Sequence, residues 1–182
     1  MWPFSKSQPV AASGILCEMT DYHSHILPGV DDGVKTMNES LQILAEMKLQ
    51  GVRKVWFTPH IMEDIPNTNA GLRERFQDLK EKFRKPEDAY CGTVELNLAA
   101  EYMMDNLFAE RLEADDLLPI YEGGYRYLLV ETTGFTPPMN LLPVLKRIQT
   151  KGYRPLLAHP ERYLYMGTSY YCMSVSYTHL TL

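Results

Sequence analysis

The chain has 182 residues, of which 45% are hydrophobic and 23% charged, so it can bury the core of one domain and is too apolar to be disordered. Its 18 basic and 23 acidic residues give a net charge of -5, without a dense basic block, which argues against nucleic-acid binding. No apolar run approaches the roughly 20 residues of a membrane-spanning helix. Residues 1–14 lack the apolar stretch of a secretory signal, so we expect a cytoplasmic protein.

The sequence has three widely spaced cysteines, Cys17, Cys91 and Cys172. Their odd number and wide spacing argue against a disulfide framework and against a thiolate zinc site. A cysteine-dependent phosphatase would carry an arginine six positions after its nucleophile. Those positions hold His23, Asn97 and Thr178, which excludes that class of enzyme.

The first part of the chain alternates strand and helix patterns. Residues 15–22 predict a short strand, and a loop rich in glycine, proline and aspartate follows it. Thr36 and Glu39 form a capping box at the start of a helix, which we expect to end before Gly51. Residues 52–58 then predict a buried strand.

The alternation continues through the second part of the chain. Leu72, Phe76, Leu79 and Phe83 recur at helical spacing and predict an amphipathic helix. The remaining elements are expected as a strand at 93–99, a short helix and loop within 105–124, a strand at 126–131, a helix at 141–151 and a strand at 154–159.

Strands that alternate with helices predict a parallel sheet, and without a dinucleotide-binding fingerprint the leading arrangement is a (β/α) barrel. A barrel of this kind takes about 250 residues, so five units leave it unclosed. We therefore expect a barrel that is incomplete at the C-terminus. The expected organisation is a polar leader at 1–14, a partial domain at 15–169 and a non-native or disordered tail at 170–182.

Histidines and carboxylates follow each predicted strand: His23 and His25, then His60, Glu101, Glu131 and His159. Barrel enzymes build their active sites at this end of the strands. A His-x-His pair alone is more often structural or solvent-facing, but four of the five histidines follow strands. Imidazoles with carboxylates suit manganese, iron or zinc, and the number of ligands predicts two or three ions with Glu101 and Glu131 as bridges.

The residue pattern alone leaves open the roles of two aspartates and one arginine. Asp31 and Asp32 lie in a glycine-bounded loop, where ordinary turn chemistry explains them as well as metal binding does. Arg162 follows His159 by three residues. It is either a surface arginine paired with Glu161 or a planar donor that binds an anionic substrate group.

Five segments in order resemble the motifs of the polymerase and histidinol phosphatase (PHP) superfamily: residues 21–33, 58–60, 100–101, 130–131 and 158–163. The sequences His-Ile-Leu-Pro-Gly-Val-Asp-Asp-Gly and His-Pro-Glu-Arg-Tyr are similar to one branch of it. This branch comprises the bacterial manganese-dependent protein-tyrosine phosphatases of capsule and exopolysaccharide gene clusters. The resemblance covers about residues 15–166.

The resemblance implies a distorted (β/α)7 TIM-like barrel, incomplete here, with a centre of two or three Mn²⁺ ions, for which iron or zinc could substitute. It implies these metal ligands: His23, His25, Asp32, His60, Glu101, Glu131 and His159. Asp32 and Arg162 would be catalytic, with Arg162 binding the phosphate. The family uses a later Asp-x-His motif as well, and this sequence stops before any such motif.

The implied reaction is hydrolysis of protein phosphotyrosine by a hydroxide that bridges metal ions, without a covalent intermediate. The implied partner is a bacterial tyrosine autokinase that regulates polysaccharide synthesis. A histidinol-phosphate phosphatase-like enzyme is the first alternative, and an amidohydrolase ranks below it. An inactive metal-binding fragment or a phosphotyrosine-binding module is an alternative of a different class.

Overall fold

The structure is a computed structural model that describes residues 14–83, 94–136 and 138–165. Within them the strands are β1 (Thr20–Ser24), β2 (Lys54–Phe57), β3 (His60–Ile61), β4 (Glu95–Leu98), β5 (Glu101–Met103), β6 (Ile120–Glu122), β7 (Tyr125–Glu131) and β8 (Arg154–Leu157). The helices are α1 (Met37–Leu49), α2 (Asn69–Phe83), α3 (Asn106–Ala114) and α4 (Leu141–Thr150). The predicted tail at 170–182, and the predicted leader apart from Gly14, lie outside the described residues.

The parallel strands form two sheets, and within each of them they lie side by side in chain order. β1 pairs with β2 and β2 with β4, while β3 pairs with β5, β5 with β7 and β7 with β8, all in parallel. Helices α1, α2 and α4 lie between successive parallel strands along the chain, as crossover connections require. The predicted α/β alternation with a parallel sheet is therefore confirmed.

Two neighbouring strands are interrupted at the same level. β2 ends before Thr58 and Pro59, and β3 starts at His60; β4 ends before Ala99, and β5 starts at Glu101. Proline lacks the N–H group that a continuous ladder needs. The carbonyl of Pro59 still accepts a hydrogen bond from the backbone N–H of Glu101, at 3.1 Å. His60 and Glu101 therefore each begin a new short strand segment, side by side.

Both faces of the sheet are covered. In β2, Val55 and Phe57 belong to the large core cluster, whereas Trp56 packs on the other face with Leu129 of β7. Successive side chains of a strand point to opposite faces, which explains this alternation. A parallel sheet that is apolar on both faces is typical of α/β folds.

Helix α1 begins where its sequence predicts. The backbone N–H of Glu39 donates to the Thr36 hydroxyl oxygen at 3.3 Å, and the Thr36 N–H donates to the Glu39 carboxylate at 2.9 Å. These reciprocal bonds form the predicted capping box.

The prediction of a strand at residues 15–22 was wrong for the first half of that segment. The chain forms a turn there, in which the N–H of Cys17 donates to the carbonyl of Gly14 at 3.0 Å. Glu18 has a positive φ of 63°, which no strand allows. Pairing starts only at Thr20, which lies opposite Lys54 of β2.

Strand β6 was not predicted. It forms an antiparallel hairpin with β7, and its two-residue turn is Gly123-Gly124, with φ values of 58° and 81°. Two consecutive positive φ values suit a type I′ turn, for which Gly-Gly is a favoured sequence. The glycine pair inside the predicted loop was therefore the available signal for this hairpin.

Candidate metal centre

Strand geometry brings the predicted residues to one place. His23 lies in β1 and His25 directly after it, two residues apart and so on the same face. His60 and Glu101 are paired neighbours across β3 and β5. Glu131 is the last residue of β7, on the face that it shares with Leu129.

His159 reaches the same place through an unusual backbone conformation. It lies two residues after β8 with φ 32° and ψ 55°, in the left-handed region that non-glycine residues rarely adopt. The 3-10 turn Pro160–Arg162 follows at once, and the N–H of Arg162 donates to the carbonyl of His159 at 2.9 Å. Backbone strain of this kind concentrates at functional sites. Here the turn brings His159 and Arg162 to one cavity.

Glu101 is the hub of the cluster, and its side chain is fully buried. Its Oε2 lies 2.9 Å from Nε2 of His23 and 3.0 Å from Nε2 of His25. Its Oε1 lies 3.0 Å from Nε2 of His159. Glu131 Oε1 lies 3.2 Å from Nδ1 of His60. A buried carboxylate needs such partners, because an isolated charge is costly away from water.

The pKa values follow from these contacts. Burial alone would raise the pKa of Glu101, but hydrogen bonds from His23 and His25 outweigh it and hold that pKa well below its usual range. Burial alone would lower the pKa of His25, but hydrogen bonds to Asp31 and Glu101 raise it to about 10. The cluster therefore keeps its central carboxylate ionised and stabilises positive charge beside it.

The donor atoms fit divalent cations. Three groups have ligand atoms within 4.8 Å of one another: His23, His25 and Glu101; His25, Asp32 and His60; His60, Glu101 and Glu131. Nδ1 of His60 and Oε1 of Glu131 are buried and lie 3.2 Å apart, without the geometry of a hydrogen bond. Polar atoms in this situation normally have a partner. A cation between them would satisfy both, and imidazole with carboxylate suits manganese, iron or zinc.

The two consecutive aspartates differ in environment. The side chain of Asp31 is fully buried and accepts a hydrogen bond from Nδ1 of His25, at 2.8 Å. The side chain of Asp32 is 77% exposed, and its Oδ1 lies 3.6 Å from Nε2 of His60. Asp32 can therefore serve as a ligand, whereas the Asp31 carboxylate is engaged with protein donors.

A cavity of about 820 Å³ contains all seven predicted ligands in its lining, together with Arg162. Of the described residues that line it, Arg162 is the one with a permanently positive side chain. Among the described residues, Arg162 and Glu161 line the same cavity without an ion pair between them. The lining therefore places one fixed positive charge beside the predicted ligands.

Sequence reasoning missed two apolar residues of the cavity, Met62 and Met103. Each lies two positions after a predicted ligand, His60 or Glu101. The signal that could have found them is the period of two along an extended chain, which places residues i and i+2 on one face.

The chain is similar to known proteins over most of its length. The family profile described as "Capsular polysaccharide synthesis, CpsB/CapC" matches residues 19–174. The chain belongs to the CpsB/CapC family. This match confirms the resemblance predicted from the ordered motifs.

Two relatives are named as tyrosine-protein phosphatases. CpsB from Streptococcus pneumoniae is 32% identical over 146 residues, which are 80% of this chain and 58% of CpsB. YwqE from Bacillus subtilis (strain 168) is 30% identical over 148 residues, which are 79% of this chain and 55% of YwqE. The chain thus spans little more than half the length of these relatives.

A solved structure has the same fold. It comes from a crystallographic study of YwqE from Bacillus subtilis and CpsB from Streptococcus pneumoniae, described there as unique metal-dependent tyrosine phosphatases. The match has a TM-score of 0.74 with 28% identity, and covers 89% of this chain and 62% of that chain. Among the described residues of this chain, no helix has the length and apolarity needed to cross a bilayer.

Proposed function

We propose that this chain is the metal-binding part of a protein-tyrosine phosphatase that hydrolyses phosphotyrosine with the help of divalent metal ions. The observation that carries the proposal is the convergence of four histidines and two buried glutamates on one cavity with Arg162. Membership of the CpsB/CapC family supports the same reaction. The domain would comprise residues 15–169, as part of a (β/α)7 barrel.

The proposed ligands are His23, His25, Asp32, His60, Glu101, Glu131 and His159. Two or three Mn²⁺ ions are the proposed occupants, since nitrogen and carboxylate ligands without thiolates suit manganese. Bound metal would lower the pKa of water toward 7 and neutralise charge on the phosphate. Glu101 would hold metal together with several histidines, because its two oxygens face different ones.

The proposed role of Arg162 is to bind non-bridging phosphate oxygens through its planar guanidinium. Charge spreads over these oxygens as the phosphorus–oxygen bond breaks, so a fixed cation beside them stabilises the transition state. Asp32 is the other residue to which we assign a catalytic role, because it is the exposed carboxylate of the cavity nearest to His60.

The remaining lining suits an aromatic phosphoester. A tyrosine phenol has a pKa of about 10, so it can leave without a dedicated general acid. Met62 and Met103 offer thioether groups that contact aromatic rings favourably. We assign them to the ring of the phosphotyrosine side chain.

The proposed substrate is a tyrosine-phosphorylated protein, namely a bacterial tyrosine autokinase that regulates capsular or exopolysaccharide synthesis. The family description supports the link to capsule synthesis. We place this reaction in the cytoplasm, where such a kinase domain would meet it.

The test is hydrolysis of a phosphotyrosine peptide after metal removal, with and without added Mn²⁺. We expect activity that returns with Mn²⁺ and falls by at least about 100-fold in His23→Ala, which removes a proposed metal ligand, and in Arg162→Ala, which removes a direct contact with the transition state. Arg53→Ala is the matched control, because Arg53 is exposed and pairs with Glu18 outside the cavity. Hydrolysis of histidinol phosphate but not of the peptide would contradict the substrate assignment.

A further inference from the structure

Asp31 lies in the loop between β1 and α1. It has a buried carboxylate and is not one of the proposed metal ligands. Its side chain is fully buried, whereas that of Asp32, the next residue, is 77% exposed. A buried carboxylate is retained where its hydrogen bonds compensate for the loss of water. The hydrogen bonds of Asp31 therefore indicate what it does.

Asp31 accepts hydrogen bonds at both of its oxygens. Its Oδ2 accepts from Nδ1 of His25 at 2.8 Å and from the backbone N–H of His60 at 3.1 Å. Its Oδ1 accepts from the backbone N–H of Gly33 at 2.9 Å. Two of the three donors belong to candidate metal ligands, so one carboxylate connects two separate parts of the site.

The contact with His25 determines which nitrogen faces the cavity. A neutral imidazole carries one N–H and one lone pair, on different nitrogens. With Nδ1–H held by a carboxylate, Nε2 is the nitrogen at which a metal ion would replace the proton. Nε2 of His25 lies 3.0 Å from Glu101 and 3.2 Å from Nε2 of His23, at the centre of the cluster.

We propose that Asp31 is a positioning residue, which holds the His25 ring with Nδ1–H directed to Asp31 and Nε2 directed to a metal ion. This inference deepens the proposed function and rests on its metal site. His159 differs, because its Nδ1 is buried without a hydrogen-bond partner among the described residues, and Nδ1 of His60 faces Glu131, which is itself a proposed ligand. Of His25, His60 and His159, His25 is therefore the one whose Nδ1 contacts a carboxylate outside the proposed ligand set.

The loop is built to make this contact. The backbone N–H of Val34 donates to the carbonyl of His25 at 3.0 Å, so the loop folds back onto the histidine. A Cβ at Gly33 would lie 2.2 Å from the carbonyl oxygen of His25, which leaves room for glycine alone. Gly33 thus permits the close approach that places Asp31 beside the ring.

The first test measures Mn²⁺ affinity by calorimetry for the 182-residue chain and for Asp31→Asn, His25→Ala and the double variant. We expect Asp31→Asn to weaken binding by about 10- to 100-fold, as loss of a partner behind a metal-binding histidine does. In the His25→Ala background the same change should have no further effect. Asp64→Asn, an exposed aspartate in a nearby loop, is the matched control and should bind like the wild type.

If Asp31→Asn lowers Mn²⁺ affinity equally in the wild type and in His25→Ala, Asp31 acts on the loop as a whole and the proposal is overturned. An unchanged Mn²⁺ affinity in Asp31→Asn would also overturn it. A second measurement needs no variant: NMR of the zinc-loaded wild type should show His25 protonated at Nδ1 and coordinated through Nε2. Protonation at Nε2 would overturn the proposal even if Asp31→Asn does not fold.

These outcomes are separable from those of the proposed phosphatase function. Metal binding that depends on Asp31 through His25, without hydrolysis of a phosphotyrosine peptide, would leave this inference standing and refute the phosphatase. If the wild type hydrolyses the peptide and Asp31→Asn binds Mn²⁺ with unchanged affinity, the phosphatase stands and the inference about Asp31 is refuted. A wild type that binds no Mn²⁺ and no Zn²⁺ would refute both.

Discussion

His60 and Glu101 are direct neighbours across the parallel strands β3 and β5, and Nδ1 of His60 lies 3.4 Å from Oε2 of Glu101. The pair exists because both strands restart at these residues after an interruption at the same level. Parallel pairing in register places the two side chains on one face of the sheet. The hub of the site is thus a product of strand pairing.

The first prediction concerns this hub. Glu101→Gln preserves size but removes the charge that faces His23, His25 and His159. We expect Mn²⁺ binding to weaken by more than the 10- to 100-fold that outer partners of a metal site contribute. Calorimetry checks this, with Glu95→Gln on β4 as the control, because Glu95 lies outside the cavity lining. Wild-type affinity in Glu101→Gln would contradict the hub role.

The second prediction concerns the loop glycine. A side chain at Gly33 would meet both the carbonyl oxygen and the Cβ of His25, the latter at 2.5 Å. Overpacking of this kind costs about 1–3 kcal/mol, and more where backbone must move. We expect Gly33→Ala to lower the free energy of unfolding by that amount and to weaken Mn²⁺ binding.

Gly123→Ala is the comparison for this prediction. Gly123 has a positive φ of 58°, which strains any other residue, but a Cβ there meets no atom within 4 Å. It should reduce stability without affecting Mn²⁺ affinity. Equal effects of both variants on metal binding would show that the fold, and not the contact with His25, is responsible.

The third prediction concerns alkaline pH. Burial and a hydrogen bond from its hydroxyl to Asp115 raise the pKa of Tyr153 to about 12. Since the folded protein favours the neutral phenol, this contribution to stability is complete below pH 10 and is lost as the pH rises through 12. The stability difference between wild type and Tyr153→Phe should therefore shrink between pH 9 and pH 12.

Denaturant titrations at several pH values measure that difference. Thr150→Ala is the control, because it removes a hydroxyl but no ionisable group. Its difference from the wild type should stay constant over the same range. A constant difference for Tyr153→Phe would mean that its pKa is not raised by folding.

The fourth prediction concerns the start of α1. Thr36→Ala removes the hydroxyl that accepts from the Glu39 N–H. Loss of such a cap costs about 0.5–2 kcal/mol. Thermal melting should show this loss, whereas Thr150→Ala, near the end of α4, removes no N-terminal cap and should cost less.

Several fold features followed from local sequence alone. The capping box of α1 and the apolar spacing of α2 predicted these helices because their signals lie within a few residues. The predicted strand at 15–22 failed because an apolar run cannot reveal a hydrogen-bonded turn with a positive φ at Glu18. The breaks between β2 and β3 and between β4 and β5 depend on pairing between segments that are distant in sequence. The local sequence does not reveal such pairing.

For the site, the sequence by itself determined the set of chemically competent residues, since histidines and carboxylates that follow successive parallel strands must meet at one edge of the sheet. Residue type and spacing left Asp31 and Asp32 equivalent, and only the family resemblance singled out Asp32 as a ligand. Tertiary structure decided between them by burying one against His25 and leaving the other exposed. The physical reason is that burial and hydrogen-bond partners depend on segments distant in sequence, here the backbone of His60, which lies 29 residues from Asp31.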